Sequence, residues 1–399
     1  MKILIVSQYY FPEQFLINDI TEELVKNGQS VTVITGLPNY PSGVIDKRYK
    51  KIRCEIINGV NVQRCFVFPR GKNIFSLLLN YLSFVVFTSI KIFNLKNKYD
   101  IVLSYQLTPI FQLLPAILYS KISKNKLVCY CLDLAPKSGS AIIRKNILGK
   151  LLFSAYKLLS KKLYKSCDFI CVTSESFIDY LHSNHEISLQ SMGYLPQHAP
   201  SIFYNIDLEK KPNNIVDLLF AGNIGKGASL ETIIYAAEIV CKHNSNFLIH
   251  FVGDGSNKEY LVELVRKLNL QDYIKFYNSV TLSEMIKYYR AADALLVTLR
   301  KGQITVPGKL QAYMATGKPI IGAMDGSGKK LIEKARCGKC VCAEDIKGLA
   351  LIIEGYIKKP ESFKGFGENG KKYFENNFTL QLFCERLLCI LRKFAKEDI

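Results

Sequence analysis

The sequence has no dense run of basic residues, although Lys and Arg total 53 against 34 Asp and Glu, a formal balance of +19. The excess lies in both halves and no nucleic-acid recognition module accompanies it, which argues against a nucleic-acid partner. A balance of this sign, spread thinly, fits anionic small molecules or an anionic membrane surface. Paired metal-ligand spacing is also missing among the 12 cysteines. Cys129/Cys131 and Cys340/Cys342 alternate as strand residues do, and Cys54, Cys65, Cys167 and Cys241 stand in apolar surroundings. They read as reduced core thiols of a cytosolic protein with no metal site. No secretory leader is visible: "MKILIVSQYYFPE" is a strand running into a loop, without a small-residue cleavage site, so the chain is expected to stay on the synthesising side.

What is present is apolar mass with a rhythm. In 399 residues, 49% hydrophobic content is ample for two cores. Buried-strand runs alternate with helix-length amphipathic stretches. "KILIVSQ", "SVTVITG", "YDIVLSY", "KLVCYCLD" and "CDFICVTS" are strands, and "NDITEELVKNGQ" is a helix between the first two. This is the pattern of a doubly wound parallel sheet. Residues 196–214 are polar, proline-bearing and without period, and read as a linker. The rhythm restarts with "IVDLLFAGNIG", "FLIHFVGDG", "IKFYNSV", "DALLVTL" and "PIIGA", separated by helices. The expected fold is therefore α/β, with two Rossmann-like doubly wound domains facing across a cleft: residues 1–195, residues 215–375, and a closing helix in 376–399 that packs back on the fold.

Residues 74–93, "IFSLLLNYLSFVVFTSIKIF", are long and apolar enough to be weighed as a membrane span, interrupted by Asn80 and Lys91. The first expectation is a buried crossover helix; the second is a helix lying in the membrane interface. Arg64, Arg70 and Lys72 before it, and Lys91, Lys96 and Lys98 around its end, suit anionic head groups.

Two stretches carry charge chemistry. In "FAGNIGKGASLETII", residues 220–234, Gly222, Gly225 and Gly227 let the backbone come close, the amides at the helix start face a phosphate, and Lys226 adds a charge. In "TVPGKLQAYMATGKPIIGA", residues 305–323, Gly308 and Lys309 precede a helix of about three turns that Gly317 and Pro319 end. Two such helix starts in one domain can converge on a diphosphate. Glycine turns between strands and helices are common, so neither pattern is specific alone.

In order, "FxGxxG" plus helix, "FVGDG", "KFYNSVTLSEMIKYYRAADALLVTL" and "KLQAYMATGKPII" resemble the nucleotide-sugar half of retaining glycosyltransferases of the GT-B fold, family GT4. The N-terminal "SQYYFPEQFLINDITEELVKNGQSVTVITGLPNYPSG", with "DLAPKSGS" and "YLPQHA", resembles the acceptor half of the bacterial O-antigen and capsule branch that includes N-acetyl-L-fucosaminyl transferases. The resemblance implies transfer of a sugar from a UDP-sugar to a polyprenyl-diphosphate-linked saccharide, by a protein held peripherally at the cytoplasmic face of the cell membrane. It also implies retention of configuration and no metal. Asn223, Lys226, Gly222, Gly225, Gly308 and Lys309 would hold the diphosphate, and the loop from Tyr277 to Val280 would cover the base. Stabilising the charge on the departing oxygen is then the main catalytic task, with Lys309 its agent.

This chain departs from the family at several positions. The usual glutamate pair falls at Ile304 and Ala312, Asn223 takes the place of an arginine, the usual lysine of that turn falls near Ala228, and Lys137 replaces the glutamate after "DLAP". In the first half, Asp133 is either a turn cap or an acceptor-hydroxyl contact that assists deprotonation. Glu13, Asn39 and Tyr40 either line the acceptor site or build rigid loops. Asp325 to Gly328, at the end of the "PIIGA" strand, either face the sugar or form a glycine-rich turn; Glu333 reads as a surface residue, Tyr288 and Tyr289 as core, and His198 as a solvated linker histidine. Two rivals stay open: a sugar-nucleotide 2-epimerase of the same fold, which needs gathered carboxylates and a histidine, and a non-catalytic membrane scaffold, favoured by the missing glutamates.

Overall fold

A computed structural model describes residues 1–71, 73–95, 99–135, 147–204 and 214–395. Lys72, Lys96, Lys98, Lys137 and residues 205–213 of the expected linker lie outside these. The chain forms two compact units, Met1–Pro196 with Phe383–Ile399, and Gln197–Leu382.

The first unit is built on eight strands: β1 (Lys2–Val6), β2 (Ser30–Gly36), β3 (Cys54–Ile57), β4 (Val60–Cys65), β5 (Ile101–Gln106), β6 (Leu127–Cys131), β7 (Phe169–Val172) and β8 (Met192–Tyr194), ordered β3-β4-β2-β1-β5-β6-β7-β8. All neighbours are parallel except β3 and β4. The five strands expected from apolar runs are those covered on both faces, which is why they read as continuous hydrophobic stretches. The β3–β4 hairpin was not expected. Its signal is "NG": Asn58 and Gly59 have φ of 48° and 82°, and Ile57 pairs with Val60 across them, as in a two-residue type I′ turn. Arg64, on β4, is fully buried; it donates from Nε to Glu55 on β3 (2.5 Å) and from Nη2 to the Phe11 carbonyl (2.7 Å), and its guanidinium lies over Tyr49 at 4.5 Å.

The second unit holds β9 (Val216–Ala221), β10 (Phe247–Val252), β11 (Ile274–Tyr277), β12 (Ala294–Thr298), β13 (Ile320–Ala323) and β14 (Gly338–Val341), all parallel in the order β11-β10-β9-β12-β13-β14. Each sheet reverses its strand order once, beside β1 and β5 in the first and beside β9 and β12 in the second. Open parallel sheets bind ligands at the carboxyl ends of the strands beside such a reversal. The stretch expected to be a linker begins as core of this unit: His198, Ala199 and Phe203 are buried, so the reading of His198 as solvated is corrected.

The last helix, Leu380–Phe394, buries Phe383, Cys384, Leu387, Leu388 and Leu391, with Phe383 against Tyr130 and Phe394 against Phe169 of the first unit. Helix Ile74–Phe93 does cross over from β4 to β5, but the expectation that it is buried is overturned. Its polar residues point inward: Asn80 accepts from Gln8 (2.9 Å) and donates to the Phe68 carbonyl (2.6 Å), Ser83 accepts from the Phe68 amide (3.0 Å), and Thr88 is fully buried. Ile74, Leu78, Leu82, Val86 and Ile90, four residues apart and hence on one face, are exposed, with Phe75 at 76%. Asn80 is thus the inward anchor of the helix rather than an interruption of it. Of the cysteines expected in the core, Cys54 and Cys342 are exposed.

Candidate active site

At the reversal in the second sheet, β9 ends at Ala221 and the chain turns through Gly222, Asn223 and Gly225. The turn is fixed by its neighbour after β10. Gly222 donates to the Val252 carbonyl (2.9 Å), and Ile224 donates to that of Asp254 (2.8 Å). Gly253, at φ +150°, leans so closely on this turn that a Cβ would lie 1.9 Å from the Gly222 carbonyl oxygen. Asn223 is exposed, its side chain 3.3 Å and 2.6 Å from where Cβ atoms on Gly225 and Gly255 would stand. We predict that Gly253→Ala destabilises the second unit by about 1–3 kcal/mol, from a disfavoured conformation and the backbone clash, and displaces Gly222. A thermal melt with and without nucleotide checks both effects.

Lys309 points at this turn. It opens helix Lys309–Ala315, which has two turns rather than the expected three, and its Nζ lies 3.2 Å from the position of a Cβ on Gly222 and 3.5 Å from the centre of the Phe220 ring. Tyr313, on the same helix, receives a hydrogen bond from the Ala221 amide (2.8 Å), which ties the helix to the end of β9. No carboxylate among the described residues pairs with the Lys309 ammonium. The residue as a whole keeps some solvent contact, but the ammonium over the ring is desolvated, which pulls its pKa down to about 7. Gln197, whose Oε1 would be 2.6 Å from a Cβ on Gly308, also borders the site. The sequence offered no spacing signal for it.

The expectation that amides at the next helix start face a phosphate is corrected. Lys226–Ala228 form a 3₁₀ turn, helix Glu231–Val240 begins after it, and Glu231 pairs there with Arg300. That helix start is already occupied by the Glu231–Arg300 pair, so the seat left is the turn from Gly222, beside Lys309, to exposed Lys226. Asp325–Gly328 is also not a loop: Gly326 opens helix Gly326–Ala335, and Asp325, at the position before it, accepts from the Ala343 amide (3.1 Å) instead of bonding to the helix. Glu333 is exposed and Tyr289 buried. Tyr277 ends β11, stacks on His250 (5.7 Å) and meets Tyr288 (5.2 Å). Val280 packs against the same core.

At the reversal in the first sheet, Asp133 follows β6 and accepts from the Thr108 amide (3.1 Å); desolvation raises its pKa, opposed by the bonds from Thr108. Glu13 and Asn39 are spent on the loops. Glu13 is buried and one carboxylate oxygen accepts from the amides of Asn39 (2.7 Å) and Tyr40 (2.6 Å). The Asn39 side chain donates to the Leu37 carbonyl (2.8 Å) and accepts from the Arg70 amide (3.1 Å) and Asn80 (3.2 Å). The expectation that Asn39 reaches an acceptor is therefore corrected. Tyr40 is 42% exposed and packs with Tyr9 and Phe15.

A parallel doubly wound pair of units with a cationic glycine turn in the second is the architecture of GT-B glycosyltransferases. The structure of Anabaena Alr3699/HepE in complex with UDP and glucose matches 98% of this chain and 99% of its own at TM-score 0.72 and 15% identity. That of WaaG, a glycosyltransferase involved in lipopolysaccharide biosynthesis, matches with the same scores. Residues 205–373 match the family model of glycosyl transferases group 1. In Escherichia coli (strain K12), the protein bearing the name colanic acid biosynthesis glycosyl transferase WcaI is 24% identical over 342 residues, 79% of this chain and 82% of that one. The second unit is thus a group 1 glycosyltransferase domain, and the protein is an enzyme, a glycosyltransferase of the GT-B fold.

Proposed function

We propose that the enzyme transfers a sugar from a UDP-sugar to a polyprenyl-diphosphate-linked saccharide, with retention of configuration, in the synthesis of a surface polysaccharide such as O-antigen or capsule. The observation that carries it is the Lys309 ammonium, without a carboxylate partner among the described residues and desolvated over a glycine turn. A cation in such a seat is short of a counter-charge, and a diphosphate supplies one. HepE, with UDP and glucose bound, supports the nucleotide, and WcaI and WaaG support the polysaccharide setting. As the C1–O bond to the diphosphate breaks, charge grows on the departing oxygen, and Lys309, Lys226 and the turn amides stabilise it without a metal. Asp133 takes the acceptor hydroxyl's proton as the new C1–O bond forms.

N-acetyl-L-fucosamine is the sugar we propose, on the resemblance of the N-terminal motifs to N-acetyl-L-fucosaminyl transferases. The exposed apolar face of helix Ile74–Phe93 supports attachment to the inner membrane face.

The test is calorimetric titration with UDP, with UMP and GDP as controls and EDTA present. Micromolar binding of UDP that weakens sharply for UMP is expected; no binding of any nucleotide overturns the reading. Asp133→Asn is expected to leave the UDP titration unchanged and to lower transfer by about 10²-fold.

A further inference from the structure

Helix Ile147–Lys165, between β6 and β7, is turned the same way out as helix Ile74–Phe93. Its inward side carries the polar groups: the Tyr156 hydroxyl accepts from the Ile110 amide (3.4 Å), Ser160 Oγ lies 2.9 Å from His185 Nε2, and Tyr164 is fully buried. Its outward side is apolar. Ile147, Leu151 and Leu158, with Leu152 and Leu159 beside them, are exposed at helical spacing. An ordinary surface helix shows the opposite arrangement, apolar inward and charged outward.

The two helices belong to one layer. The connections from β4 to β5, β5 to β6 and β6 to β7 all run in the same direction along the sheet, so right-handed crossovers put their helices on one face. Helix Leu113–Ser123 lies between the two and packs against both, and its Ile122 is exposed as well. An apolar surface of this extent on a folded unit marks a contact. Its charge says with what. The three helices hold seven lysines and no Asp or Glu. Glu186 pairs with Lys161 and Lys165, while Lys121, Lys150 and Lys162 are exposed. Lys150 lies one turn from Ile147 and Lys162 one turn from Leu158, at the margin of the apolar row. A second copy of the chain would set the same lysines against these. An anionic lipid surface offers the opposite charge and a hydrocarbon layer together.

We infer that the first unit lies on an anionic bilayer through helices Ile74–Phe93 and Ile147–Lys165 together, with the apolar rows in the acyl boundary and the lysines at the head groups. This rests on the membrane attachment proposed above and adds to it a second helix and the charge of the lipid. In a parallel sheet the helix that follows a strand starts from the side of the strand's carboxyl end. Ile74 and Ile147, 78% and 79% exposed, therefore stand on the side of the rim that carries Asp133, and the contact extends to that rim. A saccharide carried by a lipid of the same leaflet then meets Asp133 while its chain stays in the bilayer.

The full-length protein is mixed with vesicles of phosphatidylcholine alone or with added phosphatidylglycerol, and the bound fraction is read by flotation. UDP titration and circular dichroism melts report folding. Binding is expected to require phosphatidylglycerol and to weaken as salt rises. Phe75→Asp and Leu151→Asp, both at exposed positions, are expected to weaken it by about tenfold each, with UDP binding unchanged. Because the chain has no tryptophan, Phe75→Trp and Leu151→Trp place a single reporter on each helix, and brominated acyl chains are expected to quench both. If Leu151→Asp binds like the wild type and Leu151→Trp is unquenched, the two-helix surface is overturned and attachment through helix Ile74–Phe93 stands. No wild-type binding to either vesicle overturns both. Equal binding to the neutral vesicles overturns the assignment to anionic lipid. A dimer in solution that Leu151→Asp dissociates, without vesicle binding, gives the face to a second copy and overturns the lipid contact.

Discussion

Lys309→Ala is expected to lower turnover by about 10²–10³-fold, the usual loss when one fixed donor to a developing oxyanion is removed, while Lys334→Ala, exposed on another helix, leaves it unchanged. Steady-state release of UDP from the donor measures both, and equal losses would sink the argument from Lys309's seat. The same seat gives a pH signature. Desolvation holds the free ammonium's pKa near 7, below its ordinary 10.5. A bound diphosphate favours the charged form and raises it again, so above pH 7 binding must take up a proton. UDP affinity should therefore fall as pH rises from 7 to 9, at most about tenfold per unit. Calorimetry in buffers of different ionisation heat reads the proton directly, and Lys309→Arg, charged throughout, should flatten the profile. The stability of the nucleotide-free protein runs the other way. Between pH 7 and 10.5 the unfolded chain binds this proton more tightly than the folded one, so stability rises with pH across that window and the penalty is full below it.

The second large effect concerns the hairpin in the first unit. Glu55→Ala is expected to destabilise that unit by about 3 kcal/mol, the lower end of the range for stripping a buried charge of its partner, because Glu55 itself keeps some water contact. Arg64 would then lie buried with only the Phe11 carbonyl and the face of Tyr49 to compensate it. Asp46→Ala, which breaks the pair with exposed Arg48 and the bond from the Arg48 amide, should move the denaturation midpoint far less, since such a pair contributes little and a lost cap less than a stripped buried charge. Urea denaturation followed by circular dichroism distinguishes the two.

The sheets were legible because strands covered on both faces must be apolar throughout, as in "KILIV" and "LVCYC", and a run of that kind has few other uses. The β3–β4 hairpin escaped because its edge strand alternates weakly, although Asn58-Gly59 marked the turn. The orientation of helix Ile74–Phe93 was not legible, because periodicity shows which residues share a face and not which face meets the protein. The inward bonds of Asn80 and Ser83 and the burial of Thr88 decided that. In the candidate site, Lys309 could be picked out from its place before a helix, but its desolvation depends on Phe220, distant in sequence. Asn39 and Glu13 carried the right chemistry; what the sequence did not reveal was that Glu13 is taken by the amides of Asn39 and Tyr40, and the Asn39 side chain by Leu37, Arg70 and Asn80.

The chain leaves the first unit after Pro196 and returns to it at Phe383. The second unit is thus an insertion into the first, and the buried side chains of the last helix, Phe383 to Leu391, follow the whole of the second unit in the chain. On the ribosome the second unit has all of its residues before the first does, although the first is begun earlier. A chain halted before Phe383 would therefore emerge with its second unit whole and its first unit open along the seam that Tyr130 and Phe169 line.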